Sequence, residues 1–530
     1  MRGWGWAGLL LLAGCVGAPA ARPERSIAEL ADDMAAGRLS SEQLVRGYLR
    51  RIEAIDRDGP TLRSVIAINP NVLAQARALD AERRAKGPRG PLHGVPLLIK
   101  DNIETADPMP TTAGSLALKD NISGRDAPLV ARLRAAGAVI LGKANLSEWA
   151  NFRDGDSTSG WSAVGGLVRN PHALDRNACG SSSGSGVAVA ADLVAAAIGT
   201  ETDGSIACPA NMTGIVGFKP TVGLVSRTHV VPISVSQDTA GPMARTVRDA
   251  ALLLTAMAGS DPADPATVEA DRRKRDYAVA LTPDALSGKR IGVLRYRTGT
   301  SKPVDAAFEV ALAVMRAGGA ELVDIKESGV PRELGDHEYK LLLTEFKAGL
   351  DAYLATTPPS VKTRSLADLI AFNDTNAATE LRLFGQRIFI EAQATGGLGD
   401  AEYVTARDTA KRLAGRDGID RLLAEHRVTL LVAPTMGPAW MTDLVNGDQY
   451  SGGGSSQLPA VAGYPHLTVP MGDVKGLPIG LSFVGPAWAD AEVLAAGHAY
   501  ETRSKTRRTP LFVARSAALD AVAPAVDPAR

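Results

Sequence analysis

The chain has 530 residues, and 58 Lys+Arg stand against 58 Asp+Glu for a formal net charge of zero. Apolar residues make up 45% and charged ones 22%, which excludes intrinsic disorder, collagen and coiled coil as whole-chain classes. The balance also argues against nucleic acid as a partner, because displacing phosphate counterions needs a basic excess.

The N-terminus reads MRGWGWAGLLLLAGCVGAPAARPERS. Arg2 precedes an apolar run from Trp4 to Ala13 that is too short to span a bilayer. Residues 1–25 therefore read as an export signal and a short linker. The run ends in Leu12-Ala13-Gly14-Cys15, which resembles a bacterial lipobox. Cleavage before Cys15 and lipidation of its thiol would give a periplasmic or cell-envelope lipoprotein, touching the membrane only through its acyl chains. The alternative is cleavage after Ala18-Pro19-Ala20 and a soluble periplasmic or secreted protein.

Two helices come next, each opened by a capping box, Ser26-x-x-Glu29 and Ser40-x-x-Gln43. From about residue 91, apolar strand-like runs alternate with amphipathic helices. HGVPLLIK (93–100) is a strand ending in a lysine. Residues 126–137 form a helix closed by Gly137, 138–141 a strand, and a further helix begins at Asn145. The segments 289–294, 304–319 and 320–325 repeat strand, helix and strand, and 428–434, 466–471 and 477–485 add strands. Such alternation predicts an α/β fold with one large mixed β-sheet covered by helices on both faces. No linker or charge block divides residues 26–515, so one large domain is expected. SGGGSS (451–456) reads as a mobile loop, and 516–530 as a loose tail.

Beyond Cys15 the cysteines are Cys179 and Cys208, and neither C-x-x-C nor H-E-x-x-H occurs. The seven histidines are scattered without ligand spacing, so neither a metal site nor a cofactor is expected. An exported location permits a disulfide between the two cysteines.

The densest chemical signal is ACGSSSGSGVAVAADLVAAAIGTETDGS (178–205). A plain loop followed by a core helix is the simplest reading. Gly180-Ser181-Ser182-Ser183-Gly184 formally matches G-x-S-x-G, with Ser182 as nucleophile. That motif needs a strand directly before it, whereas RNPHALDRNAC is polar, loop-like and contains a proline. The third reading joins both serine turns to Lys100.

With Lys100 included, the sequence resembles the amidase signature family. HGVPLLIKDNIET (93–105) is similar to its lysine strand, GSSSGSG (180–186) to its glycine-serine segment, and GTETDGSIACPA (199–210) to its nucleophile turn. GIVGFKPTVGLVS (214–226), QDTAGPMARTVRDAA (237–251), LLVAPT (430–435) and AVAGYPHLTVPMG (460–472) fit as well. The 24-residue interval from Ser181 to Ser205 is the family's spacing between its two catalytic serines. The resemblance implies that Ser205 is the nucleophile, Ser181 a cis-peptide proton relay and Lys100 the base. It also implies an oxyanion hole from the backbone N–H groups of Thr202, Asp203, Gly204 and Ser205.

The chemistry explains why these residue types belong together. A serine hydroxyl is a weak nucleophile until a base takes its proton. A solvated lysine is protonated and cannot serve, but burial disfavours the charged form and makes it a base. Activity should then rise from neutral to alkaline pH. N–H groups of a tight glycine-containing turn suit the negative oxygen of a tetrahedral intermediate.

Two positions depart from the common family pattern. Asp203 places a carboxylate where a glycine is usual, and so biases substrate choice, while Ser183 replaces another glycine in what reads as a loop. Together with LADLIAFN (366–373), they resemble the peptide amidase branch, which removes C-terminal peptide amides as ammonia and leaves internal bonds intact. That branch carries cysteines matching Cys179 and Cys208; buried free thiols are the expected state here and a disulfide the alternative. The expected function is thus hydrolysis of C-terminal peptide amides through an acyl-enzyme. A broader amidase or aryl-acylamidase is the alternative, and a silent binding protein on the same fold is disfavoured by the presence of all three residues. The aminoacyl-tRNA transamidase subunit shares the core, but the export signal argues against it. Residues 340–354 and 381–392 are candidate pocket-wall helices whose apolar stripes read first as core.

Overall fold

The computed structural model describes residues 24–450 and 454–516. Cys15 with most of the expected export segment, residues 451–453 of the glycine-serine stretch and the tail from 517 lie outside the described residues.

The strands in chain order are β1 Val65–Ile68, β2 Pro96–Lys100, β3 Val139–Ala144, β4 Trp161–Ser162, β5 Gly166–Leu167, β6 Ala196–Glu201, β7 Val216–Lys219, β8 Thr239–Ala244, β9 Arg290–Leu294, β10 Glu321–Ile325, β11 Leu430–Pro434, β12 His466–Val474 and β13 Leu477–Val484. β4 and β5 pair with each other. The other strands make one 11-stranded sheet in the order β1-β3-β2-β6-β8-β7-β12-β13-β11-β9-β10. β2 runs parallel to β3 and β6, and β9 parallel to β10 and β11. The centre, β6-β8-β7-β12-β13-β11, is antiparallel, so the sheet is mixed.

Strand alternation shows how the two faces are covered. In β11, Leu430 and Val432 belong to the largest core cluster, which includes Phe308, Leu312 and Met315 of the helix Lys302–Ala317. Leu431 and Ala433 of the same strand join another cluster, with Leu413, Leu422 and Val461 from helices that follow residue 400. Successive side chains of a strand point to opposite faces, so helices pack on both sides of the sheet.

Local signals translate directly. Both capping boxes form: the Ser26 and Ser40 hydroxyls accept from the N–H groups of Glu29 and Gln43, whose side chains accept in return. The helix expected from Asn145 does not form. Residues Glu148–Asn151 make a short left-handed turn instead, in which Trp149, Ala150 and Asn151 have φ of 49°, 55° and 69°. Its backbone is claimed by neighbours instead: Ser147 N–H donates to Ser181 O at 3.0 Å and Trp149 N–H to Ala113 O at 2.8 Å.

The two candidate wall segments are mostly core. Helix Leu334–Ala355 and helix Arg387–Gln393 bury Phe346, Leu350 and Phe389 in one cluster, with the Phe346 and Phe389 rings 5.3 Å apart. Leu342 and Ile388 reach the large cavity described next.

Candidate active site

Lys100 is the last residue of β2, hydrogen-bonded between β3 and β6. The apolar run Pro96–Ile99 is fully buried and carries the lysine in with it, to 0% exposure. Its Nζ lies 2.8 Å from Ser181 Oγ, 2.8 Å from Thr200 Oγ1 and 3.3 Å from Thr200 O. Burial pulls its pKa down to about 7, against the upward pull of the Asp238 and Glu201 carboxylates.

Ser181 follows a cis peptide bond from Gly180 and is also fully buried. A Cβ on Gly180 would stand 2.1 Å from Ser147 Oγ, so only glycine fits there. Ser182, the nucleophile of the G-x-S-x-G reading, is unavailable. Its buried hydroxyl donates to Thr200 O at 3.0 Å and accepts Thr200 N–H at 3.2 Å. Ser183 opens the helix Ser183–Ala190 rather than lying in a loop, and its hydroxyl donates to Cys179 O.

Ser205 sits on the turn between β6 and the helix Ala207–Thr213, 8% exposed. Together with Thr202, Asp203 and Gly204 it lines a cavity of about 740 Å³, whereas Lys100 and Ser181 lie out of that lining. The backbone N–H groups of these four residues donate to no protein acceptor among the described residues. Gly204 has φ of 77°, a left-handed conformation natural to glycine. Neighbouring carboxylates fix the turn. Glu201 Oε2 accepts the N–H groups of Ile206 and Ala207 at 2.7 and 2.9 Å, and Asp238 Oδ1 accepts the Thr202 hydroxyl at 2.6 Å.

The two serine turns are tied together twice. Ser182 N–H donates to Ser205 O at 3.1 Å, and Cys179 and Cys208 form a disulfide with their Cα atoms 5.9 Å apart. The expectation of free thiols is thereby corrected. Packing one serine turn on the other brings the cysteines to a separation that a disulfide needs.

Asp203 stands beside the N–H donors, as its sequence position suggested. Burial and the nearby Glu338 carboxylate push its pKa well up. Glu338 comes from helix Leu334–Ala355, where Gln237 and Gln457 each donate to one of its oxygens at 3.0 Å. Sequence reasoning missed Thr200, Gln237 and Glu338. Thr200 and Gln237 lie inside quoted motifs, but Glu338 carries no local signal. Among the described residues no group of three or more His, Cys, Asp or Glu side chains is placed to hold a metal ion, and no helix is long and apolar enough to cross a membrane.

Known proteins resemble this arrangement over nearly the whole chain. The Amidase family model matches residues 43–494. A protein of Arabidopsis thaliana named a probable amidase is 42% identical over 487 residues, covering 90% of this chain and 89% of its own. The crystal structure of native peptide amidase from Stenotrophomonas maltophilia is 53% identical with a TM-score of 0.88, covering 92% of this chain and 99% of that one. A bacterial aryl acylamidase structure is 26% identical with a TM-score of 0.75, over 93% and 98% of the two chains. With this sheet and these matches, the chain belongs to the amidase signature family and is an amide-hydrolysing enzyme.

Proposed function

We propose that the enzyme hydrolyses C-terminal peptide amides to the free acid and ammonia, with Ser205 as nucleophile, Ser181 as proton relay and Lys100 as base. The observation that carries the proposal is the set of contacts around Lys100 Nζ. A neutral amine has two N–H donors and one lone pair. Thr200 O can only accept, and Thr200 Oγ1 already accepts from Asn102 Nδ2 at 3.0 Å with a second lone pair to spare. If both N–H groups serve Thr200, the lone pair faces the Ser181 hydroxyl at 2.8 Å. Ser181 then donates its proton to Lys100 and takes one from Ser205.

Ser205 Oγ attacks the amide carbon, forming a C–O bond while the carbonyl electrons move to oxygen. The N–H groups of Thr202, Asp203, Gly204 and Ser205 are unspent and receive that oxyanion. Collapse expels ammonia, protonated through Ser181 from Lys100. Water then attacks the acyl-enzyme along the same proton path and releases the acid and Ser205.

The peptide-amide substrate is supported by the peptide amidase at 53% identity and by a cavity of about 740 Å³, within the range of ligand pockets. The disulfide beside the nucleophile supports an exported setting, because such bonds persist in oxidising compartments. Ammonia release from a panel of peptide amides, with N-acyl anilides as competitors, tests the reading. Peptide amides are expected to be turned over at least about tenfold better in kcat/KM. A preference for anilides would favour the aryl-acylamidase alternative and end the peptide-amide proposal.

A further inference from the structure

We infer that Asp448, with the Tyr450 ring beside it, forms a cation subsite in the cavity and favours peptide amides that carry an ammonium or guanidinium group on the acyl side. It rests on the peptide-amide reading and names a substrate class within it. The leaving group of that reaction is ammonia, so whatever fills the cavity away from Ser205 belongs to the acyl part.

Asp448 lines the same cavity as Ser205 and is half-buried. Neutral donors alone hold its carboxylate. Oδ1 accepts from Trp440 Nε1 and Ser159 N–H at 3.2 Å each and from Asn177 Nδ2 at 3.3 Å. Oδ2 receives only that same Ser159 N–H, at 3.0 Å, which leaves it a lone pair for a further donor. Burial pushes the pKa of this carboxyl up, Ser159 and Trp440 pull it back, and no lysine or arginine of the described residues offsets the charge. A partly desolvated carboxylate without a counterion is costly, and a substrate cation relieves that cost.

The surrounding wall suits a cation as well. Trp440 and Tyr450 both line the cavity, with ring centroids 5.6 Å apart. Trp440 is buried against Cys179 and Cys208, and its N–H fixes the carboxylate. Tyr450 is 62% exposed, so its ring is open to a ligand. A carboxylate beside an accessible aromatic ring binds ammonium and guanidinium groups by charge and by cation–π attraction. Arg297 is the one Lys, Arg or His in the lining among the described residues, and its charge acts on Asp203 at the nucleophile turn. Contact runs from Asp448 through the Trp440 indole and the disulfide to Cys208, three residues after Ser205, so the carboxylate stands away from the scissile bond.

The test uses the full-length protein and tetrapeptide amides in matched pairs. Lysine is set against norleucine at the second or the third residue from the amide, and a free N-terminus against an acetylated one. Ammonia release at about pH 7, where both kinds of amine are largely charged, gives kcat/KM for each member. Wild type is expected to prefer the cationic member of at least one pair by about fivefold or more. The pair that shows it tells a side chain from the peptide's α-ammonium as the cation. Asp448→Asn keeps the shape and an oxygen for Trp440, and is expected to cut that preference at least about threefold; Tyr450→Ala should cut it at least about twofold. The preference is a ratio within one protein, so a purely structural role of Asp448 would not move it. Should Asp448→Asn fail to fold, as thermal melting shows, Tyr450→Ala and added salt carry the test, because screening must shrink the wild-type preference. Equal kcat/KM within every pair overturns the inference. So does a preference that folded Asp448→Asn leaves unreduced or, failing that variant, one that Tyr450→Ala and salt leave unreduced. Failure of the peptide-amide reading looks different: no member of the set then releases ammonia, whatever its charge.

Discussion

A lysine is a base at neutral pH only where water does not stabilise its ammonium form, and Lys100 is fully buried at the end of a buried strand. With its pKa lowered to about 7, it carries a proton below that pH and loses it above. The expected kcat/KM for a peptide amide therefore rises about tenfold per pH unit below about 7 and levels off above it. Lys100→Met, similar in length and without a lone pair for the Ser181 proton, is expected to lose at least about a thousandfold in kcat/KM at pH 8. A rate maximum below about pH 5, or substantial turnover by the Met variant, would contradict a neutral-lysine base. Lys100, Ser181 and Ser205 were visible as candidates because each sits in a local motif of the sequence. Glu338 was not, because its meeting with Asp203 depends on how a distant helix packs over the turn.

At the scale of elements, two short glycine- and serine-rich turns are tied to each other. Ser182 N–H to Ser205 O, Ser147 N–H to Ser181 O and the disulfide all converge on them. The bond closes a segment with a sequence separation of 29, which in the chain-entropy account stabilises the fold by about 3–4 kcal/mol. Reductant should therefore lower the thermal midpoint of the wild type by several degrees, with loss of activity at the same temperatures. The variant carrying both Cys179→Ala and Cys208→Ala should melt low with or without reductant. A wild-type midpoint unmoved by full reduction would show that the bond adds nothing to stability. Sequence served unevenly here. The capping boxes were legible because they are contacts over three residues, and the strands because alternation and apolar runs are local. The stretch after Asn145 was misjudged as a helix, since its backbone donors are drawn off by Ser181 and Ala113. The cysteines are 29 apart along the chain, and only the packing of the turns joins them.

Across the whole molecule, one sheet draws strands from Val65 to Val484 into a common layer, and its largest core cluster runs from Ile27 to Tyr500. Such a core buries some polar groups unavoidably, and their titration shapes the response to acid. His466 on β12 is 0% exposed, with Nε2 2.7 Å from Ser482 Oγ, which in turn donates to Thr435 Oγ1 at 2.9 Å. Since the serine hydrogen goes to Thr435, Nε2–H is the donor to Ser482, and Nδ1 is the unprotonated nitrogen, without a partner. Burial first, and then the positive charge of Lys219, push the His466 pKa down to about 3. The folded value lies below the ordinary histidine value of 6.5, so between about pH 6.5 and 3 the unfolded chain binds a proton that the folded chain refuses. Stability from this residue is full above that window and falls as pH falls through it, by a few kcal/mol in all. His172, lowered to about 4 by burial, acts in the same direction. Buried carboxyls such as Asp249, raised to about 6, act in the opposite one, so the acid limb of the wild type alone is ambiguous. The difference between wild type and His466→Gln removes that ambiguity, because every other group titrates alike in both proteins. Glutamine keeps a donor for Ser482 but cannot ionise. The variant should be less stable than wild type at pH 7 through poorer packing, and the gap in denaturant midpoint should narrow steadily from pH 6.5 to 4. A gap constant over that range would mean that His466 binds its proton as readily in the folded chain as in the unfolded one.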